Sequence, residues 1–379
     1  MLPLRLHDGV FAVSDPKGFS PVPQSLATNL IIDAHLDLAW NALTWNRDLH
    51  LTVAAMRASE SGIEGKSRGR NTVSFPQMRE GRVGISLVTL LARSNPKGRS
   101  ILDFRNQQIA SAAAQGQLAW YRLLEEQGVC RMIADLPVLR ESASAWKAGS
   151  NDAPLGFILS MEGADPILSP SHAEWWYRAG LRAVGLAHYG PSAYANGTAC
   201  EGGLFPAGRE LLRAMEELGI ILDLTHLADD AFWEAAKLFR GPVLASHNNC
   251  RAITPNQRQF SDDQIRLLIE RDAVIGTALD AWMLVPGWTQ GTGDGPRVTL
   301  ESAVEHIDHI CQLAGSARHC AIGSDLDGGF GTEQGPEDLD TIADLQKLGV
   351  LLTARGYSAE DIEAIFHGNW LRFFEKAWA

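Results

Sequence analysis

The sequence predicts an α/β fold, a (β/α)8 TIM-type barrel in a single domain with loop insertions. Three observations lead there. Eight short apolar runs recur along the 379 residues, segments of helical period separate them, and six of the eight finish on His, Asp or Glu. Continuous apolar runs suit strands covered on both faces, as in a parallel sheet. An open doubly wound sheet is the competing architecture, but it usually carries fewer strands per domain.

The strand-like runs are Leu30–Asp37, Val83–Leu91, Gly156–Met161, Leu181–Ala187, Ile220–Thr225, Pro242–Ser246, Ala273–Ala278 and Ala321–Ser324. Between them, Gly208–Leu218 sets Leu211, Leu212, Met215 and Leu218 on one stripe and charged residues on the other. Ile101–Gly128 reads as a long helix ending at glycine. Asp229–Phe239, Ser261–Arg271, Leu300–Leu313 and Leu339–Arg355 follow, and Ser358–Trp378 closes the chain with one or two more. Ser261 with Gln264 three residues on has the pattern of a capping box. Arg57–Arg70, rich in Gly, Ser and Arg, reads as an exposed loop, and Pro286–Pro296 as a flexible one. Residues 1–28 are expected to be an N-terminal extension and 29–379 the barrel with its C-terminal helices.

Composition narrows the function classes. With 33 Lys+Arg against 45 Asp+Glu the net charge is −12, which argues against nucleic acid or an anionic membrane as partner. The start lacks the apolar core of about 7–15 residues that marks a secretory signal. No apolar run reaches transmembrane length, and the end is too short and charged for a lipid-anchor tail. A cytoplasmic protein is the expectation. The five cysteines form no Cys-x-x-Cys pair, so neither a zinc ribbon nor a disulfide framework is indicated.

The strand ends carry the chemistry. They read His35-Leu36-Asp37, Glu162-Gly163, Ala187-His188, Thr225-His226, Ser246-His247 and Ser324-Asp325. In a barrel these ends converge on one mouth, where active sites of this fold are built. Imidazole and carboxylate without thiolate suit zinc or a similar divalent ion in an open, catalytic site. Four histidines and three carboxylates exceed what one tetrahedral ion needs, which points to two metals with Glu162 as the candidate bridge. No lysine ends a strand-like run, which speaks against a carboxylated-lysine bridge.

Each residue alone has a plainer explanation: a satisfied structural histidine, a capping acid, or a turn former at Asp325 or Asp327. The joint pattern is what favours a metal site. Other histidines lack it. His306 and His309, three apart on a helix, read as solvated surface. His172 and His319 fall before strands, on the stability face, and His7, His50 and His367 have no partners in register. Trp282 and Trp288 are placed to line a pocket after strand seven.

The motifs resemble the membrane dipeptidase (renal dipeptidase) family, peptidase family M19 of the amidohydrolase superfamily. The resemblance runs through Asp33-Ala34-His35-Leu36-Asp37, Ser160-Met161-Glu162-Gly163, Asp223-Leu224-Thr225-His226, Ser246-His247, Ile322-Gly323-Ser324-Asp325-Leu326-Asp327-Gly328 and Gly368-Asn369-Trp370-Leu371-Arg372. It implies a zinc-dependent dipeptidase, with a C-terminal D-residue among its substrates, that works through a hydroxide bridging two Zn²⁺. His35, Asp37 and Glu162 would hold one ion with Asp325 close by, and Glu162, His226 and His247 the other. Asp325 would move the proton and His188 would polarise the substrate. Arg258, which as sequence alone passes for an exposed loop residue, would bind the substrate carboxylate. The expected partner is a dipeptide, and a homodimer is suggested by resemblance only. Another binuclear amidohydrolase acting on N-acyl amino acids, lactones or β-lactam-like amides is the alternative. A binding protein that retains the scaffold is a third. The segment Tyr189–Tyr194 after His188, and Ala187 before it, depart from the family pattern.

Overall fold

The computed structural model describes residues 29–98, 100–150, 152–291 and 295–379. The expected N-terminal extension, with His7, therefore lies outside the described residues, as do three positions of the 286–296 loop. Eight parallel strands form the barrel: β1 (Ile31–Leu36), β2 (Val83–Leu91), β3 (Leu155–Glu162), β4 (Leu181–Gly185), β5 (Ile221–Asp223), β6 (Val243–Leu244), β7 (Ile275–Thr277) and β8 (Cys320–Ile322). They pair in the order β7-β8-β1-β2-β3-β4-β5-β6. A parallel bridge between Ala245 and Ile275, with Ala245 N–H donating to the Val274 carbonyl at 3.1 Å, brings β6 against β7 and all but closes the ring.

Closure brings backbone against backbone. A Cβ at Gly323 would stand 1.8 Å from the Ser246 carbonyl oxygen, so only glycine fits at this position just past β8. The strands are buried on both faces, as their unbroken apolar runs require, and the core lies between the barrel and its helices. Asn369 Nδ2 donates to the Ala317 and Cys320 carbonyls, and Trp370 Nε1 to Ile322. That contact docks the closing helix Asn369–Ala377 on β8.

Three sequence expectations need correction. The helix expected from Ile101 starts at Gln107, because Asn106 caps it and Asp103–Phe104 pairs with Arg93–Ser94 instead. The 57–70 segment begins within the helix Val53–Ser59, and Glu60 and Ser67 inside it are buried. Glu60 accepts from Arg47, Arg68 and the Gly69 N–H, which pins the loop. His306 is fully buried on the Ala303–Ile307–Ile310 stripe of its helix; its Nδ1 accepts from the Cys250 N–H, leaving Nε2–H to donate to Leu284. Among the described residues no helix is long and apolar enough to cross a membrane.

Candidate metal centre

The site is assembled at the C-terminal ends of the strands. His35 stands inside β1 and Asp37 just beyond it, immediately before the helix Leu38–Trp45. Glu162 is the last residue of β3. The next five strands follow one spacing: His188, His226, His247, Asp280 and Asp325 each lie three residues past the end of β4 to β8. Two of these turns are strained. His226 (φ 69°) and Asp325 (φ 58°) adopt the left-handed region that non-glycine residues seldom occupy, a pattern found where function fixes the backbone. Gly328 leaves the room, since a Cβ there would stand 1.9 Å from Asp325 Oδ1.

Two carboxylates beneath the site join neighbouring strand ends. Asp33 Oδ1 accepts from the His35 and Ser324 N–H groups, and Oδ2 from the Ser324 hydroxyl at 2.5 Å, which ties β1 to β8. Asp223 Oδ1 likewise accepts from the Thr225 and Ser246 N–H groups and ties β5 to β6.

Glu162 is central. Its Oε1 lies 3.0 Å from His226 Nε2, 3.3 Å from His247 Nε2 and 3.7 Å from His188 Nε2. Its Oε2 faces His35 Nε2 at 3.7 Å, and that nitrogen stands 3.8 Å from both Asp37 Oδ2 and Asp325 Oδ1. Two overlapping sets, His35–Asp37–Glu162 and Glu162–His226–His247, each have ligand atoms within 4.8 Å of one another, as does His35–His247–Asp325.

Hydroxyl groups fix the imidazole tautomers. The Thr198 hydroxyl donates to the His226 carbonyl at 3.2 Å, so its oxygen accepts from His226 Nδ1–H at 2.9 Å. The Ser246 hydroxyl donates to Thr225 Oγ1 and accepts from His247 Nδ1–H at 2.9 Å. Both Nε2 atoms therefore carry lone pairs, and they face each other at 3.1 Å with Glu162 Oε1 beside them. Three electron-rich atoms at such distances repel unless a cation lies among them. His35 Nε2 and Asp37 Oδ1, both buried, have no hydrogen-bond partner. The donor set fits divalent metal.

Electrostatics agree. Burial pushes the His226 and His247 imidazoles well below their ordinary range, with Arg258 and neighbouring histidines adding to it. Burial works against a charged His35, but Glu162, Asp37 and Asp325 around it raise it to about 10. Burial lifts the Glu162 carboxyl to about 7 against the pull of His35, and Asp325 is raised well above the carboxylate range. Burial and closely set ionisable groups of both signs together produce these shifts.

The metal cluster opens into a cavity of about 310 Å³. Besides Asp37, Glu162, His188, His226 and Asp325, it is lined by Arg258, Arg93, Tyr189, Asp280 and Trp282. Arg258, 3 % exposed, donates from Nη1 to Asn248 Oδ1 at 2.5 Å and from Nη2 to the His247 carbonyl at 2.8 Å; Nε has no partner. Arg93 Nη1 lies 3.5 Å from His188 Nδ1 and can only donate, so His188 carries its proton on Nε2. Of the two tryptophans expected at a pocket, Trp282 lines it, whereas Trp288 packs on the core. No cysteine joins the cluster. Sequence reasoning missed Asp33, Asp223 and Asp280. The first two stand two and three residues before His35 and His226, a spacing that could have marked them.

A (β/α)8 barrel with histidines and carboxylates gathered at its strand ends defines a metal-dependent hydrolase scaffold. Residues 23–379 match the family model described as "Membrane dipeptidase (Peptidase family M19)", and the chain belongs to that family. It is an M19 metallopeptidase, a hydrolase acting on the peptide bond of dipeptides. It is 26 % identical over 366 residues to the dipeptidase aclJ of Aspergillus oryzae, covering 93 % of this chain and 79 % of that one. It is also 26 % identical over 283 residues to an uncharacterised dipeptidase of Schizosaccharomyces pombe, covering 70 % and 67 %. A solved metallopeptidase from Rhodobacter sphaeroides, liganded with a phosphinate mimic of the dipeptide L-Ala-D-Ala, superimposes with a TM-score of 0.75 at 22 % identity, covering 93 % of this chain and 100 % of that one. The dipeptidase AC gives 0.75 at 23 %, covering 93 % and 99 %. Both likenesses bear on the fold.

Proposed function

We propose that the cluster binds two zinc ions with Glu162 shared between them. His35, Asp37 and Glu162 would hold one, with Asp325 beside it, and Glu162, His226 and His247 the other. The observation that carries this is that Glu162 Oε1 meets the His226 and His247 Nε2 atoms while its Oε2 faces His35 Nε2, so that one carboxylate belongs to two donor sets. When bound, such ions acidify water toward neutrality and polarise a carbonyl oxygen.

The remaining steps belong to the chain's own side chains. Asp325, whose proton affinity is raised by burial and by Glu162 and Asp37, takes a proton from the attacking water and passes it to the leaving amine. His188 is held neutral by burial and by the charges of Arg93 and Arg258. Its Nε2–H donates to the oxygen that gains charge as the carbonyl is attacked. Arg258, fixed by Asn248 and the His247 carbonyl, offers its unpartnered Nε and a neighbouring N–H to the substrate's C-terminal carboxylate.

We include a C-terminal D-residue among the substrates, a reading supported by the L-Ala-D-Ala mimic bound to the Rhodobacter relative. Hydrolysis of L-Ala-D-Ala and L-Ala-L-Ala by chelated protein reloaded with zinc tests both parts. Activity restored by zinc on both isomers is expected. Activity that survives chelation contradicts the metal role, and cleavage of the L,L isomer alone contradicts the stereochemical one.

A further inference from the structure

Four carboxylates line the active-site cavity: Asp37, Glu162, Asp280 and Asp325. Three of them belong to the metal cluster, and Asp280 does not. It is 7 % exposed and held by neutral donors: Gln334 Nε2 at 2.9 Å to each oxygen, Trp282 Nε1 at 2.7 Å to Oδ2, and the Trp282 backbone N–H. Lys66, also on the cavity wall, lowers its proton affinity, but among the described residues no ion pair joins Asp280 to a cation. Burial pushes the Asp280 carboxyl up to about 6 against the pull of Gln334, Trp282 and Lys66. A carboxylate kept in place by hydrogen bonds but left without a cation, inside a substrate cavity, is built to receive one.

A dipeptide brings that cation. It enters as a zwitterion, with a carboxylate at one end, an ammonium at the other and the scissile bond between them. Arg258 meets the carboxylate and the metal cluster the scissile bond. The ammonium loses water on entering the cavity and needs an anion there. We infer that Asp280 binds the α-ammonium group of the substrate's N-terminal residue, so that Arg258 and Asp280 together measure a dipeptide from both ends. This rests on the reading of Arg258 as the carboxylate site. Asp280 makes no bond in the reaction; it sets specificity for an unblocked, two-residue substrate.

The test compares L-Ala-L-Ala with propionyl-L-Ala, which keeps the peptide bond and carboxylate but lacks the amine, using zinc-loaded full-length protein. The wild type is expected to favour the free amine by about tenfold or more in KM, the scale of a lost charged hydrogen bond. Asp280→Asn should raise KM for Ala-Ala by a similar factor, leave kcat nearly unchanged and erase the preference, while Asp280→Glu restores part of it. Equal KM values for the two compounds in the wild type overturn the proposal and leave the dipeptidase reading standing, with no need for any variant to fold. Preference unaltered in a folded, metal-replete Asp280→Asn also overturns it. A side-chain ammonium as occupant would appear as a preference for Lys-Ala over norleucyl-Ala that Asp280→Asn abolishes without affecting Ala-Ala, and this contradicts the α-ammonium assignment. Failure of the wild type to cleave either compound overturns the dipeptide reading and this inference together.

Discussion

Thr198 Oγ1 stands 2.9 Å from His226 Nδ1 while its own proton goes to the His226 carbonyl oxygen, so one hydroxyl dictates which ring nitrogen is free. Ser246 does the same for His247. Partners of this kind orient a ligand ring and raise its basicity without touching the metal. Thr198→Val and Ser246→Ala should each weaken metal binding by about 10- to 100-fold while the protein stays folded. Chelator competition on both variants checks this, and unchanged affinity would mean that the rings are held by packing alone.

Arg258→Ala should lower kcat/KM for dipeptides by about a hundredfold, mainly through KM, because a carboxylate clamp binds ground and transition states alike. Amides without a free carboxylate should be unaffected. Equal losses on both substrate types would place Arg258 in support of the Asn248 and His247 backbone and favour a different amidohydrolase activity.

His306 links the segment after β6 to the segment after β7, through the Cys250 N–H and the Leu284 carbonyl. Its removal in His306→Leu should cost about 1–3 kcal/mol by leaving both groups unpaired. Burial holds the folded imidazole at about 4 against an ordinary 6.5. The unfolded chain therefore binds a proton that the folded chain refuses. This contribution to stability is complete above 6.5 and is lost as pH falls toward 4. Denaturant midpoints measured across that window should fall more steeply for the wild type than for the variant; parallel curves would refute the assignment.

Asp272 lies at the other end of the barrel among Arg318, Arg372 and Lys376. Partial burial works against its charge, but these cations lower its carboxyl to about 2 from 3.8. Its stabilising effect is present above 3.8 and lost as pH falls through 2. The cluster is partly exposed, so Asp272→Asn should cost about 1 kcal/mol or less at neutral pH, and less at high salt. Thermal melts at low and high ionic strength measure both effects.

The barrel was legible because its strands are covered on both faces and so read as unbroken apolar runs. That His35, Asp37, Glu162, His226, His247 and Asp325 gather in one place was legible because strand ends converge. His306 was misread because its spacing from His309 drew attention to the pair, while its own position, between Ala303 and Ile310 on the buried stripe, went unused. Glu60 and Arg47 form a buried ion pair between segments 13 residues apart, and nothing local in a Gly-Ser-Arg segment announces such a partner. Asp280 escaped notice because the apolar run of β7 fades before it. Only the shared three-residue offset from β4 to β8, visible once the strands have ends, puts it with the others.

The central claim is a two-ion centre bridged by Glu162, and a metal count tests it most directly. Protein stripped, reloaded with zinc and desalted should carry two ions per chain by mass spectrometry, and Glu162→Gln should retain at most one while keeping its fold by circular dichroism. One ion in the wild type, or two in Glu162→Gln, would contradict the account.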